Sequence, residues 1–124
     1  MSFKSEPIFK EIATQLTTNT KLTKNLIDKT KSVIVFNLKN KSGSKAWKLD
    51  LKNDGKLSEA NESDLNNSDL VITMKDLDFK KLVEGKSNSQ KLFLGGKLKI
   101  KGDVIKAANI ETILKSLRPQ KAKL

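Results

Sequence analysis

Residues 70–83 read LVITMKDLDFKKLV, and within this stretch the apolar pattern changes from that of a strand to that of a helix. The first five residues form a short apolar run of the kind found in a buried strand. Two aspartates follow, and the helix dipole favours negative charge at a helix start. Phe79, Leu82 and Val83 then recur at helical spacing and predict an apolar helix face. The stretch therefore predicts a strand followed directly by an amphipathic helix.

Three further strands are predicted upstream of this stretch. Residues 33–38 read VIVFNL. Ile34, Phe36 and Leu38 would share one face of a strand and Val33 and Val35 the other, so we expect both faces to be partly buried. Residues 47–51 read WKLDL, which predicts a strand with one solvent-exposed face. Asp54 and Gly55 form a typical tight-turn pair and predict a hairpin into a short strand at 56–58.

Helical patterns occupy both ends of the chain. The remaining predicted elements are a helix at 5–16, a helical piece around 22–27, a turn at 40–44, a surface loop at 59–68, a short helix at 89–94, a strand at 97–101 and a last helix from Asp103 to Pro119. The hairpin-like links predict that the first four strands are antiparallel, and the fifth strand is expected to cross over after the helices. We therefore predict an α+β fold, a five-stranded mostly antiparallel sheet covered on one face by helices. Residues 1–119 form one domain in this interpretation, and 120–124 form a flexible tail.

The composition argues against an enzyme. The 124 residues include no Cys and no His, which excludes disulfides, thiolate nucleophiles and the commonest metal ligands. Gly85, Lys86 and Ser87 match the end of a phosphate-binding loop, but Lys80 stands where that motif needs a glycine. Asp76 and Asp78 form a carboxylate pair that we interpret as capping a helix start. We therefore expect no catalytic residues, no metal site and no cofactor.

The net charge of +11 limits the kinds of partner. Of the 25 cationic residues only Arg118 is an arginine, and the lysines are dispersed among acids. Base readout depends on Arg, and single-strand binding depends on exposed aromatic residues, so we expect no nucleic-acid binding. Dispersed lysines suit either a solvated surface or transient contact with an anionic membrane surface, and the sequence leaves both open.

The ends of the chain carry the targeting information. The amino end has no apolar leader, and the longest apolar run, residues 33–36, is far too short to span a bilayer, so we expect a soluble intracellular protein. At the other end, Ala122, Lys123 and Leu124 form a close variant of the Ser-Lys-Leu peroxisomal address. We therefore expect import into the peroxisome matrix by the peroxisomal import receptor.

The distribution of apolar residues allows two interpretations. The predicted last helix is apolar around much of its circumference, and segments 79–83 and 92–94 add further large apolar side chains. These residues form either a well-packed core or the wall of a cavity for an apolar ligand. Because both need the same residue types, the pattern alone leaves the choice open.

Three segments together resemble the sterol carrier protein type 2 domain family, the peroxisomal nonspecific lipid-transfer proteins. They are residues 68–79 (SDLVITMKDLDF), 82–86 (LVEGK) and 95–103 (GGKLKIKGD), with support from 8–12 and the Ala-Lys-Leu end. The resemblance covers almost the whole chain. It implies a five-stranded sheet covered by helices, enclosing an apolar tunnel that binds fatty acids, fatty acyl-CoA, phospholipids or sterols.

The resemblance also implies a set of lipid-binding residues. The candidates are Ile34, Phe36, Trp47, Phe79, Leu82, Val83, Gln90, Phe93, Ile105, Ala108, Ile113, Leu114 and Leu117. Among them Gln90 matches a family glutamine and is expected to be a polar contact at the tunnel, whereas Trp47 is either near the site or purely structural. The implied function is a monomeric carrier that transfers lipid between membranes or to peroxisomal enzymes. The alternative is an accessory protein that presents acyl substrates to, or protects, peroxisomal β-oxidation enzymes.

Overall fold

A computed structural model describes residues 4–41, 43–53, 55–102 and 113 of the chain. The elements in chain order are α1 (Glu6–Thr18), α2 (Thr20–Thr30), β1 (Ser32–Asn40), β2 (Gly43–Leu51), β3 (Lys56–Glu59), α3 (Glu62–Asn67), β4 (Leu70–Lys75), α4 (Asp76–Val83), α5 (Ser89–Leu94) and β5 (Leu98–Gly102). The predicted junction of a strand with a helix is confirmed, since α4 begins at the residue that follows β4. Apart from Ile113, the predicted last helix lies outside the described residues, as does the tail at 120–124.

Within the described residues the strands form one five-stranded sheet in the order β3-β2-β1-β4-β5. Three of the four pairings are antiparallel, and β1 pairs with β4 in parallel. The predicted mostly antiparallel α+β sheet is confirmed, but two links were predicted wrongly. The link from β3 to β4 is not a hairpin, since the chain crosses from β3 to the other side of β1, where β4 pairs with β1 in parallel. Parallel strands need a long connection of this kind. The fifth strand does not cross over, since β5 lies antiparallel beside β4.

The predicted loop at 59–68 is also wrong, because it contains α3. The Asn61 side chain accepts a hydrogen bond from the backbone N–H of Asp64 at 2.9 Å, and the Asp64 carboxylate accepts one from the backbone N–H of Asn61 at 2.9 Å. This reciprocal pair is a capping box, which satisfies two backbone donors at a helix start. The predicted turn at 40–44 is shorter than expected, since Asn40 and Gly43 are already paired across the β1–β2 hairpin.

Most helices lie on one face of the sheet, and the main core lies between them. Helix α1 packs over β3, α2 over β2, α4 over β1 and β4, and α5 over β5. The buried members of this main cluster are Phe9, Ile12, Leu16, Leu26, Ile34, Phe36, Leu38, Trp47, Leu49, Leu51, Leu70, Ile72, Met74, Phe79, Leu82, Val83, Leu92, Leu98 and Ile113. Burial of this aliphatic and aromatic surface is the main source of stability for the fold.

The opposite face of the sheet carries a smaller apolar cluster. Val35, Ala46 and Val71 are buried there, and Ala60 and Leu65 pack against them. The expectation that β1 has two partly buried faces is therefore confirmed. Because side chains alternate along a strand, neighbours such as Ile34 and Val35 belong to different clusters.

Candidate functional site

A stack of aromatic rings lies at the centre of the main cluster. The Phe9 ring of α1 lies between the ring of Trp47 at 4.3 Å and the ring of Phe79 at 4.8 Å, measured between centroids and nearly parallel in both cases. The Phe36 ring meets Phe79 edge-on at 5.3 Å. Offset-stacked and edge-on arrangements are the favoured geometries of aromatic pairs. The stack joins α1, α4 and the central strands into one apolar unit.

The predicted site residues divide into three groups. Seven of them are buried together in the main cluster, namely Ile34, Phe36, Trp47, Phe79, Leu82, Val83 and Ile113. Two lie on α5 away from this cluster, with Gln90 exposed and Phe93 48% exposed. The others, Ile105, Ala108, Leu114 and Leu117, lie outside the described residues, as do the targeting residues Ala122, Lys123 and Leu124.

Asp76 connects the start of α4 to the start of α1. Its carboxylate accepts hydrogen bonds from the backbone N–H of Lys4 at 2.6 Å and of Ser5 at 2.9 Å. The Ser5 hydroxyl in turn donates to the Asp76 backbone carbonyl at 3.1 Å. The expectation that Asp76 caps its own helix is therefore wrong, because its carboxylate binds donors at the start of α1. The pair fixes the amino end of α1 beside α4 and so positions Phe9.

At the edge of the cluster near β2, Lys45 makes ion pairs and a cation–π contact. The Lys45 ammonium lies 3.8 Å from a Glu6 carboxylate oxygen, 3.7 Å from one of Glu59 and 5.3 Å from the ring centroid of Trp47. These contacts link α1, β2 and β3, and a cation over an indole face is attracted by the ring electrons. The interior of the cluster is apolar, since its buried members are aliphatic and aromatic side chains.

Comparison with known proteins identifies the fold. The model of the SCP-2 sterol transfer family matches residues 9–115. The chain belongs to the SCP-2 sterol transfer family. This membership confirms the resemblance drawn from the sequence motifs and places the chain among lipid-binding and lipid-transfer proteins.

Three similar proteins show how far the likeness extends. The chain is 54% identical over 91 residues to a fatty acid-binding protein of Yarrowia lipolytica, which covers 73% of this chain and 70% of that protein. It is 40% identical over 119 residues to the oleate-induced peroxisomal protein POX18 of Candida maltosa, covering 95% and 92%. The structure of apo sterol carrier protein 2 from Yarrowia lipolytica superposes with a TM-score of 0.85 at 46% identity, covering 94% and 93%. None of the three is named as an enzyme.

The SCP-2 family chain also exposes large apolar side chains on α4 and α5. Leu77 is 46% exposed, and Leu94, beside Phe93, is 77% exposed. The sequence analysis did not predict that these side chains are exposed, although the order of residues in α5 indicates it. Leu92, Phe93 and Leu94 are consecutive in a helix of six residues, so they cannot all face the core.

Neither a metal centre nor a membrane-spanning helix is found among the described residues. In the part of the chain that the structure describes, the Asp and Glu residues form no group of three or more that could hold a metal ion. Its helices also include none that is both long and apolar enough to cross a bilayer.

Proposed function

We propose that the chain is a carrier that binds fatty acids, fatty acyl-CoA, phospholipids or sterols in an apolar tunnel and transfers them between membranes or to peroxisomal enzymes. The observation that carries this proposal is the meeting of seven predicted lipid-binding residues in one aromatic and aliphatic cluster of an SCP-2 family chain. The name of the 54% identical relative, a fatty acid-binding protein, supports a fatty acid as one ligand.

The physical basis of binding is apolar burial. Each methylene removed from water contributes about 0.8 kcal/mol, so a long acyl chain is held without a specific polar code. The charged head group stays near the mouth, where a lysine ammonium can pair with its carboxylate or phosphate. Gln90, which is exposed on α5, is available as a polar contact there. A pocket of this kind selects broadly among lipids of similar length.

The proposed location is the peroxisome matrix. Ala122, Lys123 and Leu124 supply an address for the peroxisomal import receptor. The name of POX18, an oleate-induced peroxisomal protein, supports the same compartment. That name also favours a second candidate function, in which the chain presents acyl substrates to β-oxidation enzymes or protects them. The second function predicts that the chain changes the turnover of particular enzymes and that a variant unable to bind lipid does not.

The test is titration of the delipidated protein with a fluorescent fatty acid. Ile34 and Val35 offer a matched pair, because both are fully buried neighbours in β1 and they face different clusters. Ile34→Ala should weaken binding about tenfold through lost apolar contact with the ligand, whereas Val35→Ala should leave the affinity unchanged. Urea unfolding of both variants checks that each is folded during the titration.

The two possible failures of this titration have different meanings. Absence of saturable binding by the wild-type chain would contradict the proposed function. Saturable binding with equal losses in Ile34→Ala and Val35→Ala would contradict only the location of the ligand on the helix-covered face.

A further inference from the structure

Four lysines that are far apart in the sequence lie together on the face of the sheet opposite to the main cluster. Because side chains alternate along a strand, these lysines share the side of Val35 and Val71 rather than that of Ile34. All four are exposed. We call them the lysine face, and they are Lys39 of β1, Lys75 of β4, and Lys99 and Lys101 of β5.

The strand register places these lysines beside one another. Lys39 lies directly opposite Lys75 in the parallel pair of β1 with β4. Lys99 lies opposite Thr73 in the antiparallel pair of β4 with β5, and Lys101 is two residues further along β5. Neighbouring strands are about 4.8 Å apart, and alternate residues of one strand are about 7 Å apart. Lys39, Lys75 and Lys99 therefore lie around Thr73 and can contact one partner surface together.

No ion pair balances these charges in the part of the chain that the structure describes. Lys48 lies on the same face and shows the alternative, because its ammonium lies 3.4 Å from a carboxylate oxygen of Asp64 on α3. Asp50 lies at the other end of the face, where its carboxylate accepts two backbone N–H groups. Like charges directly opposite one another in a sheet repel, so the placement of Lys39 beside Lys75 destabilises the free protein.

Protection of a sheet edge accounts for only part of this arrangement. Lysines on an edge strand discourage pairing between sheets, and β5 is an edge of the sheet. Lys39 and Lys75, however, lie on β1 and β4, which have neighbouring strands on both sides, so these two lysines protect no edge. An anionic partner explains why repelling charges stand side by side there.

The surroundings of the lysine face favour a protein as that partner. The residues between the lysines are polar and partly buried, namely Asn37 and Thr73. The exposed large apolar residues Leu77, Phe93 and Leu94 belong to α4 and α5, which pack on the other face of the sheet, so a bilayer would gain little apolar burial here. The strand residues of this face include no arginine and no aromatic side chain, which argues against a nucleic acid. Carboxylates spread over a protein surface match cations at this spacing.

We propose that the lysine face docks an acidic surface of a partner protein. The inference rests on the proposed function, because a carrier that transfers lipid to an enzyme needs a contact with that enzyme outside the lipid site. The sheet separates the lysine face from the main cluster, where the lipid is proposed to bind. Docking on the lysine face therefore leaves the helix-covered side free for the entry and exit of lipid.

The first test uses a fluorescein-labelled peptide of six Glu-Ser repeats as the acidic probe and the corresponding Gln-Ser peptide as its neutral counterpart. The wild-type chain should bind the acidic peptide more tightly, and salt should weaken that binding. Lys39→Gln with Lys75→Gln and Lys99→Gln should weaken it about tenfold, since an exposed ion pair contributes roughly twofold. Urea midpoints no lower than that of the wild type are expected, because these side chains are exposed.

The matched control removes three exposed lysines of α2, as Lys21→Gln with Lys24→Gln and Lys29→Gln. Leu26 of α2 is buried in the main cluster, so this helix lies on the other face of the sheet. The control lowers the net charge equally and should weaken peptide binding by less than about twofold, because screening limits the reach of distant charges. Equal losses in the two triple variants would overturn the proposal.

Vesicles of phosphatidylcholine with phosphatidylserine distinguish a protein partner from a membrane. The two triple variants should bind these vesicles equally well, because the lysine face has no apolar side chain that enters a bilayer. If the lysine-face variant lost vesicle binding as strongly as peptide binding while the α2 variant kept it, the face would belong to a bilayer and the proposal would be overturned.

Amide chemical shifts of the isotope-labelled full chain locate the acidic peptide directly. The peptide should shift the residues of β1, β4 and β5 around Thr73 and leave those of α2 unchanged, with equal affinity for the lipid-free and the oleate-loaded chain. Shifts confined to the helix-covered side, or competition between peptide and oleate, would overturn the proposal. Failure of oleate to bind would contradict the carrier function instead, and the peptide measurements on the lipid-free chain would still decide the docking surface.

Discussion

Ser5 and Asp76 are joined by two hydrogen bonds across 71 positions of sequence. The Ser5 backbone N–H donates to Asp76 Oδ1 at 2.9 Å, and the Ser5 hydroxyl donates to the Asp76 backbone carbonyl at 3.1 Å. Both residues are buried, and the Lys4 backbone N–H donates to the second carboxylate oxygen. Because α1 begins at Glu6 and α4 begins at Asp76, the pair fixes the two helix starts against each other.

Loss of the Asp76 carboxylate should therefore destabilise the fold. Asp76→Ala leaves two backbone donors without a protein acceptor, and we expect it to lower the free energy of unfolding by about 2–3 kcal/mol. Ser5→Ala removes only the hydroxyl bond and should lower it by about 1 kcal/mol. Urea denaturation followed by Trp47 fluorescence measures both. A change for Asp76→Ala within about 0.5 kcal/mol of zero, as at an ordinary surface position, would contradict this role.

Any side chain at Gly55 should destabilise the fold. Its φ is +64°, and a Cβ there would overlap Thr23 Cγ2. Thr23 cannot turn away easily, because its hydroxyl donates to the carbonyls of Leu16 at 2.9 Å and Asn19 at 3.0 Å. We expect Gly55→Ala to lower the free energy of unfolding by about 2 kcal/mol or more, the sum of backbone strain and overlap.

Gly96 provides the control for that substitution. Its φ is +72°, and a Cβ there would meet nothing within 4 Å. Gly96→Ala should therefore cost only the backbone term, about 1 kcal/mol. Equal losses in Gly55→Ala and Gly96→Ala would show that contact with Thr23 adds nothing.

Trp47 is the only tryptophan of the chain and should report ligand binding directly. It is 5% exposed, so the ligand-free protein should emit at short wavelength and resist quenching by acrylamide. A fatty acid brominated along its chain should quench the emission as it binds, because Trp47 shares the main cluster with the other predicted site residues. Calorimetric binding without quenching would place the ligand elsewhere.

The targeting prediction concerns the last three residues. A fluorescent protein fused to the amino end of the chain should enter peroxisomes, and deletion of Leu124 should leave the fusion in the cytosol. Lys121→Ala is the control, because it changes the tail but keeps the Ala-Lys-Leu address. Unchanged import after the deletion would contradict the signal.

The sequence predicted elements well where one local pattern dominated. The strand at Leu70 and the helix containing Phe79 were found because apolar periodicity of either kind is a strong signal. Helix α3 was missed, because its start is signalled by Asn61 and Asp64 in a segment whose composition is typical of a loop. The parallel pairing of β1 with β4 was missed because local pattern does not show which strands become neighbours.

The candidate site shows the same limit. Ile34, Phe36 and Phe79 were predicted from a family resemblance and meet in one cluster, since they lie on the core-facing sides of their elements. The partner of Asp76 was beyond local reasoning, because it lies 71 residues away. The exposure of Leu94 was likewise hidden, since an apolar residue in a helix is expected to be buried until the direction of the helix is known.

Calorimetric titration of oleate into the delipidated chain, below the concentration at which oleate forms micelles, tests the central claim most directly. The carrier account predicts saturation at a single site per chain and a negative heat-capacity change of binding, because apolar surface leaves water. It also predicts that Ile34→Ala weakens this binding and that Val35→Ala does not. Titration without saturation, or binding with no change in heat capacity, would contradict a lipid carrier built on this apolar cluster.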